Sequence, residues 1–386
     1  MKKKLLFVVD ERLMGGVSVV LLDLLNFLVT DKYQITVLVL HNRGNMLTNL
    51  NHKIKLIYGT AYFDTIDYPL KEVLRMKSLP KLLKKLRIIF DLKTGLVKKR
   101  IKKERKKILN ESYDVEIAFK DGYSAIFTAF GDTTKKIHWL HCDYYNNNPN
   151  LKYPKLFQKV LSKFDYIVGV ATNVTKSFNE VYPLAKAALT IPIAMDTKRI
   201  ISLSSNLPNV KIAKDKLNIV VVGRAHPVKG YQRMIEVFDM LNQEKLLSDV
   251  SVHVFGDGPL FLKIKTLIEN KNLSEIVLME GNVENPYAEI KQYDFLLLPS
   301  YSEAFGTVIS EAKILHVPVL ATRTSASEMS IEDSKTGWIC DNSTEGIYQM
   351  LKSLLKNREK INKCKNNLAN FKYDNSQILK DIKEIL

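Results

Sequence analysis

Short runs of apolar, often β-branched residues alternate with segments of helical period from one end of the chain to the other. Runs at 5–9, 35–40, 54–58, 115–119, 137–140 and 166–170 predict strands, with amphipathic helices at 17–28 and 154–163 between them. The second half repeats the theme, with strands at 219–222, 250–255, 276–279, 295–298 and 317–321 and helices at 232–241, 260–270 and 307–315. Strands that are apolar throughout are buried on both faces, and helices between them supply the crossovers of a parallel sheet. The pattern therefore predicts an α/β chain with two doubly wound sheets in series. The expected break is the polar stretch 202–216, which holds Ser204, Ser205, Asn206 and Pro208. No short-period repeat or low-complexity tract interrupts it.

Length agrees with two domains, because 386 residues exceed a single ordinary core. A hydrophobic content of 46% excludes wholesale disorder. Three cysteines without paired spacing exclude a disulfide scaffold or zinc cluster and suit a reducing cytosol. No apolar run has the length of a membrane span. The opening residues look superficially like an export signal, but the apolar run is cut by Asp10, Glu11 and Arg12 and reads as a first buried strand.

Charge changes the picture. The chain carries a formal +17, and the segment from Lys71 to Lys107 holds sixteen Lys/Arg against three acids, a net of +13. Leu79, Leu82, Leu83, Leu86, Ile89 and Phe90 recur within it at helical spacing. One expectation is a solvated helix face packed on its domain by that apolar stripe. A second, which we favour, is a basic amphipathic surface that docks on anionic lipid. Nucleic-acid binding ranks behind both, because only Phe90 supplies an aromatic for base stacking.

Ligands of doubly wound sheets sit beyond the carboxyl ends of strands, so with two such domains the cleft between them is the expected site. Met14-Gly15-Gly16-Val17 follows the first strand and opens a helix, where backbone amides can meet an anion. In residues 218–230 a buried strand ends at Gly223, and Arg224 and Lys229 flank a short loop; two cations there can neutralise a diphosphate without a metal. In residues 295–312 an apolar strand runs into Pro299-Ser300, Glu303, Ala304, Phe305-Gly306-Thr307 and a helix containing Glu311. The amides of Gly306, Thr307 and Val308 should face outward as an anion site. Glu303 before the helix and Glu311 about two turns inside it would lie on the order of 12 Å apart if helical, enough to reach two sets of sugar hydroxyls. Carboxylates suit vicinal diols because each offers two acceptor oxygens.

These residues resemble the signatures of retaining glycosyltransferases of family 4. The third loop is similar to that family's Pro-Ser, Glu-Gly-Phe-Gly, Glu-Ala signature, and the second to its Gly-Arg…Lys-Gly diphosphate loop. Gly15-Gly16 resembles its N-terminal glycine loop, residues 255–260 a following strand-turn, and Gly281-Asn282-Val283 the turn that approaches the base. Ala304 departs from the usual glycine, and residues 191–196 lack the asparagine of the family's Pro-Asn-Pro-like hinge turn.

The resemblance implies a GT-B architecture of two facing Rossmann-like doubly wound domains, at 1–200 for the acceptor and 201–372 for the nucleotide-sugar. A C-terminal helix at 373–386 would cross back. It implies that Arg224 and Lys229 hold the donor diphosphate and Glu311 the ribose, while Glu303 and the backbone at Phe305, Gly306 and Thr307 hold the transferred sugar. Gly223, Val283, Ala304 and Val308 complete the donor-binding set. WLHCDYY at 139–145 resembles the loop with the family's active-site histidine, here His141, a residue type able to exchange a proton near neutrality. His138, on the strand before it, should point to the opposite face, against a shared metal site.

The expected reaction moves a sugar, with retention, from a nucleotide-diphosphate donor to an acceptor hydroxyl. Uridine is the expected base by family habit. The chain has no Asp-x-Asp triplet, which supports metal independence, and no cofactor is expected. The basic segment suits a glycan or lipid-linked acceptor of cell-envelope, capsule or exopolysaccharide synthesis, on the inner face of the plasma membrane. A GT-B sugar phosphorylase or nucleotide-sugar epimerase is the first alternative. A non-catalytic lipid- or nucleic-acid-binding protein is the second.

Overall fold

The first apolar run becomes β1 (Lys3–Val9), whose last five residues are buried. The structure, a computed structural model, describes residues 2–11, 15–44, 50–145 and 153–386; Met14 of the first glycine loop lies outside them. The chain forms two compact units, Met1–Asp196 with Asn375–Leu386, and Thr197–Asp374.

In the first unit β1 is joined by β2 (Tyr33–Val39), β3 (Lys55–Tyr58), β4 (Val115–Ala118), β5 (Lys135–Leu140), β6 (Tyr166–Gly169) and β7 (Leu189–Thr190). All pair in parallel in the order β3-β2-β1-β4-β5-β6-β7. The second unit orders β8 (Leu217–Val222), β9 (Val250–Phe255), β10 (Val277–Gly281), β11 (Phe295–Leu298), β12 (Val319–Thr322) and β13 (Gly337–Cys340) as β10-β9-β8-β11-β12-β13, again all parallel. In each sheet the winding reverses once, between β1 and β4 and between β8 and β11. Crevices open at such switch points, beyond the strands' carboxyl ends.

The unit boundary precedes the polar stretch expected to be the break. The reason is local bonding: Arg199 on helix Thr197–Leu203 donates to the Tyr287 hydroxyl at 3.3 Å, and Asn285 donates to the Leu203 carbonyl at 2.8 Å. The amide of Asn209 in turn donates to Glu289 at 2.6 Å. β13 was not expected, because glycine reads as a strand breaker. Here a Cβ at Gly337 would lie 2.2 Å from the Val319 carbonyl oxygen, so the sheet needs a residue without one.

The basic segment fills the crossover from β3 to β4 with helices Leu70–Arg75, Leu79–Thr94 and Val97–Ile108. Arg105 anchors the last of these, donating to both carboxylate oxygens of Glu116 on β4 at 2.6 and 2.9 Å. The expectation that Leu79–Thr94 packs by its apolar stripe is overturned. Leu79, Leu83, Leu86 and Phe90 are 67%, 58%, 45% and 57% exposed, while Lys85, Ile88 and Asp91 on the opposite face are 9%, 1% and 2% exposed. The inward polar groups are satisfied: Lys85 donates to the Thr65 carbonyl at 2.9 Å, and Asp91 accepts from Arg100 at 3.1 Å and Tyr62 at 3.2 Å. No helix among the described residues is long and apolar enough to cross a membrane.

Candidate active site

Three loops converge at the carboxyl edge of the second sheet. The loop after β8 is zipped to the loop after β9: the amides of Gly223, Ala225 and Leu260 donate to the carbonyls of Phe255, Asp257 and Ala225 at 3.0 Å each. A Cβ at Gly256 would stand 2.0 Å from the Gly223 oxygen, so this approach requires glycine there. The loop after β11 docks on the same place, the Tyr301 amide donating to the Val228 carbonyl at 2.8 Å. A Cβ at Gly230 would meet the Pro299 oxygen at 1.9 Å.

This packing brings Lys229 and Glu303 together although 74 positions separate them. The Lys229 ammonium lies 2.6 Å from Glu303 Oε1, which also accepts from the buried Ser300 hydroxyl at 2.6 Å. Arg224 is exposed on the same loop. Glu303 lies outside helix Thr307–Ile314, so the helical spacing expected between it and Glu311 does not apply. Glu311 sits about one turn into that helix rather than two, and it is buried. Gly306 is the helix N-cap in the left-handed region at φ +65°, and no side chain caps the terminus, which leaves its amides to an anion. Ala304, Thr307 and Val308 are half-buried and Phe305 is buried. Val283 is half-buried in the turn after β10.

Three supporting residues were not legible as such. Tyr231 donates its hydroxyl to the Gly223 carbonyl at 2.7 Å. Buried Arg233 donates twice to the Pro299 carbonyl, at 3.0 and 2.7 Å, and its guanidinium lies 3.8 Å from the centroid of Tyr301. Ser300 holds Glu303. A charged side chain among the apolar positions of helix Tyr231–Gln243 was the available signal for Arg233.

In the first unit Gly15 caps helix Gly16–Leu28, again without a side-chain cap. Among the described residues a Cβ at Gly15 would meet nothing within 4 Å. Asp10, at the end of β1, accepts from the Ser124 amide at 2.6 Å, and burial pushes its carboxyl up to about 7 against the lowering pull of Lys120. His141 follows β5 with its ring 4.9 Å from that of Phe119. Its Nε2 is buried without a hydrogen-bond partner among the described residues, and burial pushes its pKa down to about 4. This corrects the expectation of proton exchange near neutrality: His141 is a neutral imidazole at pH 7. His138 is fully buried, with Nε2 3.2 Å from Asp121 and Nδ1 3.4 Å from the Ala118 carbonyl. Asp121 also accepts from the Tyr144 hydroxyl at 2.5 Å. Among the described residues no group of three His, Cys, Asp or Glu is placed to hold a metal ion.

Residues 205–371 match the family of glycosyl transferases group 1. The chain is 29% identical over 149 residues to N-acetyl-alpha-D-glucosaminyl L-malate synthase of Bacillus anthracis, covering 38% of each. It is 25% identical over 284 residues to poly(ribitol-phosphate) alpha-N-acetylglucosaminyltransferase of Staphylococcus aureus, covering 71% of this chain and 55% of that one. The matched part thus spans 38% to 55% of these curated relatives' length. Anabaena HepE, solved in complex with UDP and glucose, superposes with a TM-score of 0.72 at 14% identity, over 99% of this chain and 98% of that one. The two Rossmann-like units have the GT-B fold, and the second of them carries the match to glycosyl transferases group 1.

Proposed function

We propose that this protein is a retaining, metal-independent glycosyltransferase that moves a sugar from a nucleotide-diphosphate donor, a UDP-sugar, to an acceptor hydroxyl. The observation that carries the proposal is the meeting of Lys229 and Glu303 at 2.6 Å beside the uncapped N-terminus of helix Thr307–Ile314. That arrangement holds a cation and a helix dipole for a diphosphate next to a carboxylate for sugar hydroxyls. The UDP in the HepE complex supports uridine as the base.

In this mechanism the bond from the anomeric carbon to the diphosphate oxygen breaks and a bond to the acceptor oxygen forms. The acceptor proton leaves with the diphosphate or to solvent. Negative charge grows on the departing diphosphate, and Arg224, Lys229 and the amides of Gly306, Thr307 and Val308 stabilise it. The incoming diphosphate competes with Glu303 for Lys229 and frees that carboxylate for the sugar. Glu311 takes the ribose hydroxyls. His141, neutral at pH 7, gives or accepts a hydrogen bond at the sugar. No protein group forms a covalent intermediate. The acceptor is a membrane-associated glycan or lipid-linked hydroxyl; the +13 segment and the Staphylococcus relative, which acts on poly(ribitol-phosphate), support this. The chain then works in the cytoplasm, peripheral on the inner membrane face.

Thermal shift against UDP-, GDP-, ADP- and TDP-sugars with EDTA present tests the donor site. At a hundredfold excess over Kd, binding adds about 2.7 kcal/mol of stability. A shift with UDP-sugars that is lost in Arg224→Ala and Glu311→Ala is expected. No shift with any donor would overturn the reading in favour of a non-catalytic binding protein.

A further inference from the structure

Helix Leu79–Thr94 is inverted relative to a helix of a soluble core. Positions 79, 83, 86 and 90 fall within one narrow arc of the helical wheel, and their side chains are exposed. The stripe is about 16 Å long. It is flanked on either side by the exposed Arg87 and Lys93, and the neighbouring helix presents exposed Lys98, Lys99, Lys102, Lys103 and Lys106. Apolar stripes of this kind on soluble surfaces mark an interaction face.

Next to the stripe lies a cavity of about 350 Å³ whose lining includes Lys84, Arg87, Arg100, Lys103, Lys107 and Glu104. Lys84 pairs with Asp64 at 2.6 Å, Arg100 with Asp91 at 3.1 Å, and Lys107 with Glu104 at 3.0 Å, so part of this charge is answered within the chain. Arg87 belongs both to the cavity and to the rim of the stripe. One anionic group bearing an acyl chain would satisfy the two features together.

We propose that this face is a lipid-binding site. The phosphate of an anionic phospholipid seats in the cavity among Arg87, Lys103 and their neighbours, while Leu79, Leu83, Leu86 and Phe90 enter the acyl region of the same leaflet. Charge complementarity selects the partner, because the stripe lies within the most basic part of the chain, and apolar insertion adds the second anchor that stable attachment needs. The inference deepens the membrane reading of the acceptor and rests on it for the partner alone, not for the donor chemistry.

The test is co-sedimentation of the full chain with phosphatidylcholine vesicles, with and without phosphatidylglycerol. Partition should require phosphatidylglycerol, fall roughly tenfold or more in Leu83→Ser/Phe90→Ser, and fall comparably in Arg87→Gln/Lys103→Gln. Leu83, Phe90, Arg87 and Lys103 are exposed, so these variants should fold. Phe90→Trp adds a reporter at the stripe, since Trp139 and Trp338 are buried, and its emission should be quenched by brominated acyl chains. UDP-sugar binding should be unchanged in all of them, so loss of vesicle binding with donor binding intact tests this proposal and not the transferase one. Equal partition into neutral vesicles, or an unchanged Leu83→Ser/Phe90→Ser variant, would overturn it. So would inorganic phosphate that stabilises the protein as much as vesicles do. A dimer abolished by the stripe variant, without vesicle binding, would reassign the face to a second copy of the chain and also overturn it.

Discussion

At the scale of single residues, burial moves two groups on one sheet edge in opposite directions. Asp10, after β1, is raised to about 7 and His141, after β5, is lowered to about 4. Both shifts disfavour the charged form. The linkage signs therefore differ. Between pH 4 and 7 the folded state holds a proton on Asp10 that the unfolded chain has lost, so this group costs stability as pH rises. Between pH 4 and 6.5 the unfolded chain protonates His141 while the folded state does not, so this group adds stability as pH rises. Each contributes a slope of up to about 1.4 kcal/mol per pH unit, and the two oppose each other. Asp10→Asn keeps an acceptor for the Ser124 amide and removes the first slope. The variant should gain on the wild type steadily from pH 5 to 7, read from urea titrations with hydrogen exchange of β1 and β4. A difference independent of pH would show that Asp10 is not buried as a titrating acid.

At the scale of elements, the loops after β8, β9 and β11 position one another, and Arg233 is the clasp. It satisfies the Pro299 carbonyl twice and stacks on Tyr301, which fixes the start of the loop that carries Glu303. Arg233→Lys conserves charge but cannot reproduce the planar double donation. It should cost about 1–3 kcal/mol of stability and weaken the proposed UDP binding about tenfold by calorimetric titration. Undiminished UDP affinity would show that the clasp does not position the site. The loop after β9 entered only through the family resemblance, whereas the loops after β8 and β11 were legible in the sequence, because each follows a continuous apolar strand and Gly230 and Gly306 mark where backbone must turn or approach. Their mutual contacts were not. Lys229 and Glu303 each had a local reading, and only the neighbouring of β8 and β11 makes them a pair. Helix Leu79–Thr94 failed in a different way: periodicity located the stripe but carries no information on which side the domain lies. Lys85 and Asp91 point inward because carbonyls, Arg100 and Tyr62 receive them there.

At the scale of the whole molecule, two sheets in series could be read from the alternation of strands and helices, but the strand orders could not. Placing β4 beside β1, and β11 beside β8, depends on long crossovers whose landing positions no local pattern encodes. The same holds for the chain's last helix, Ser376–Ile385, which belongs to the first unit although the second intervenes. Asn375 fastens its start by accepting from the Met195 amide at 3.0 Å and donating to the Met195 carbonyl at 2.9 Å. Ile382, Ile385 and Leu386 are buried. Burying an aliphatic side chain is worth about 1.5–3 kcal/mol, and each hydrogen bond about 1 kcal/mol, before the entropy of ordering the helix is subtracted. Removing residues 375–386 should therefore take on the order of 5 kcal/mol from the first unit and leave the second unchanged. Hydrogen exchange resolves the two: amides in β1 to β7 should lose protection while those in β8 to β13 keep theirs. Loss of protection in β8 to β13 instead would mean that the helix serves the second unit, against the division of the chain at Asp374.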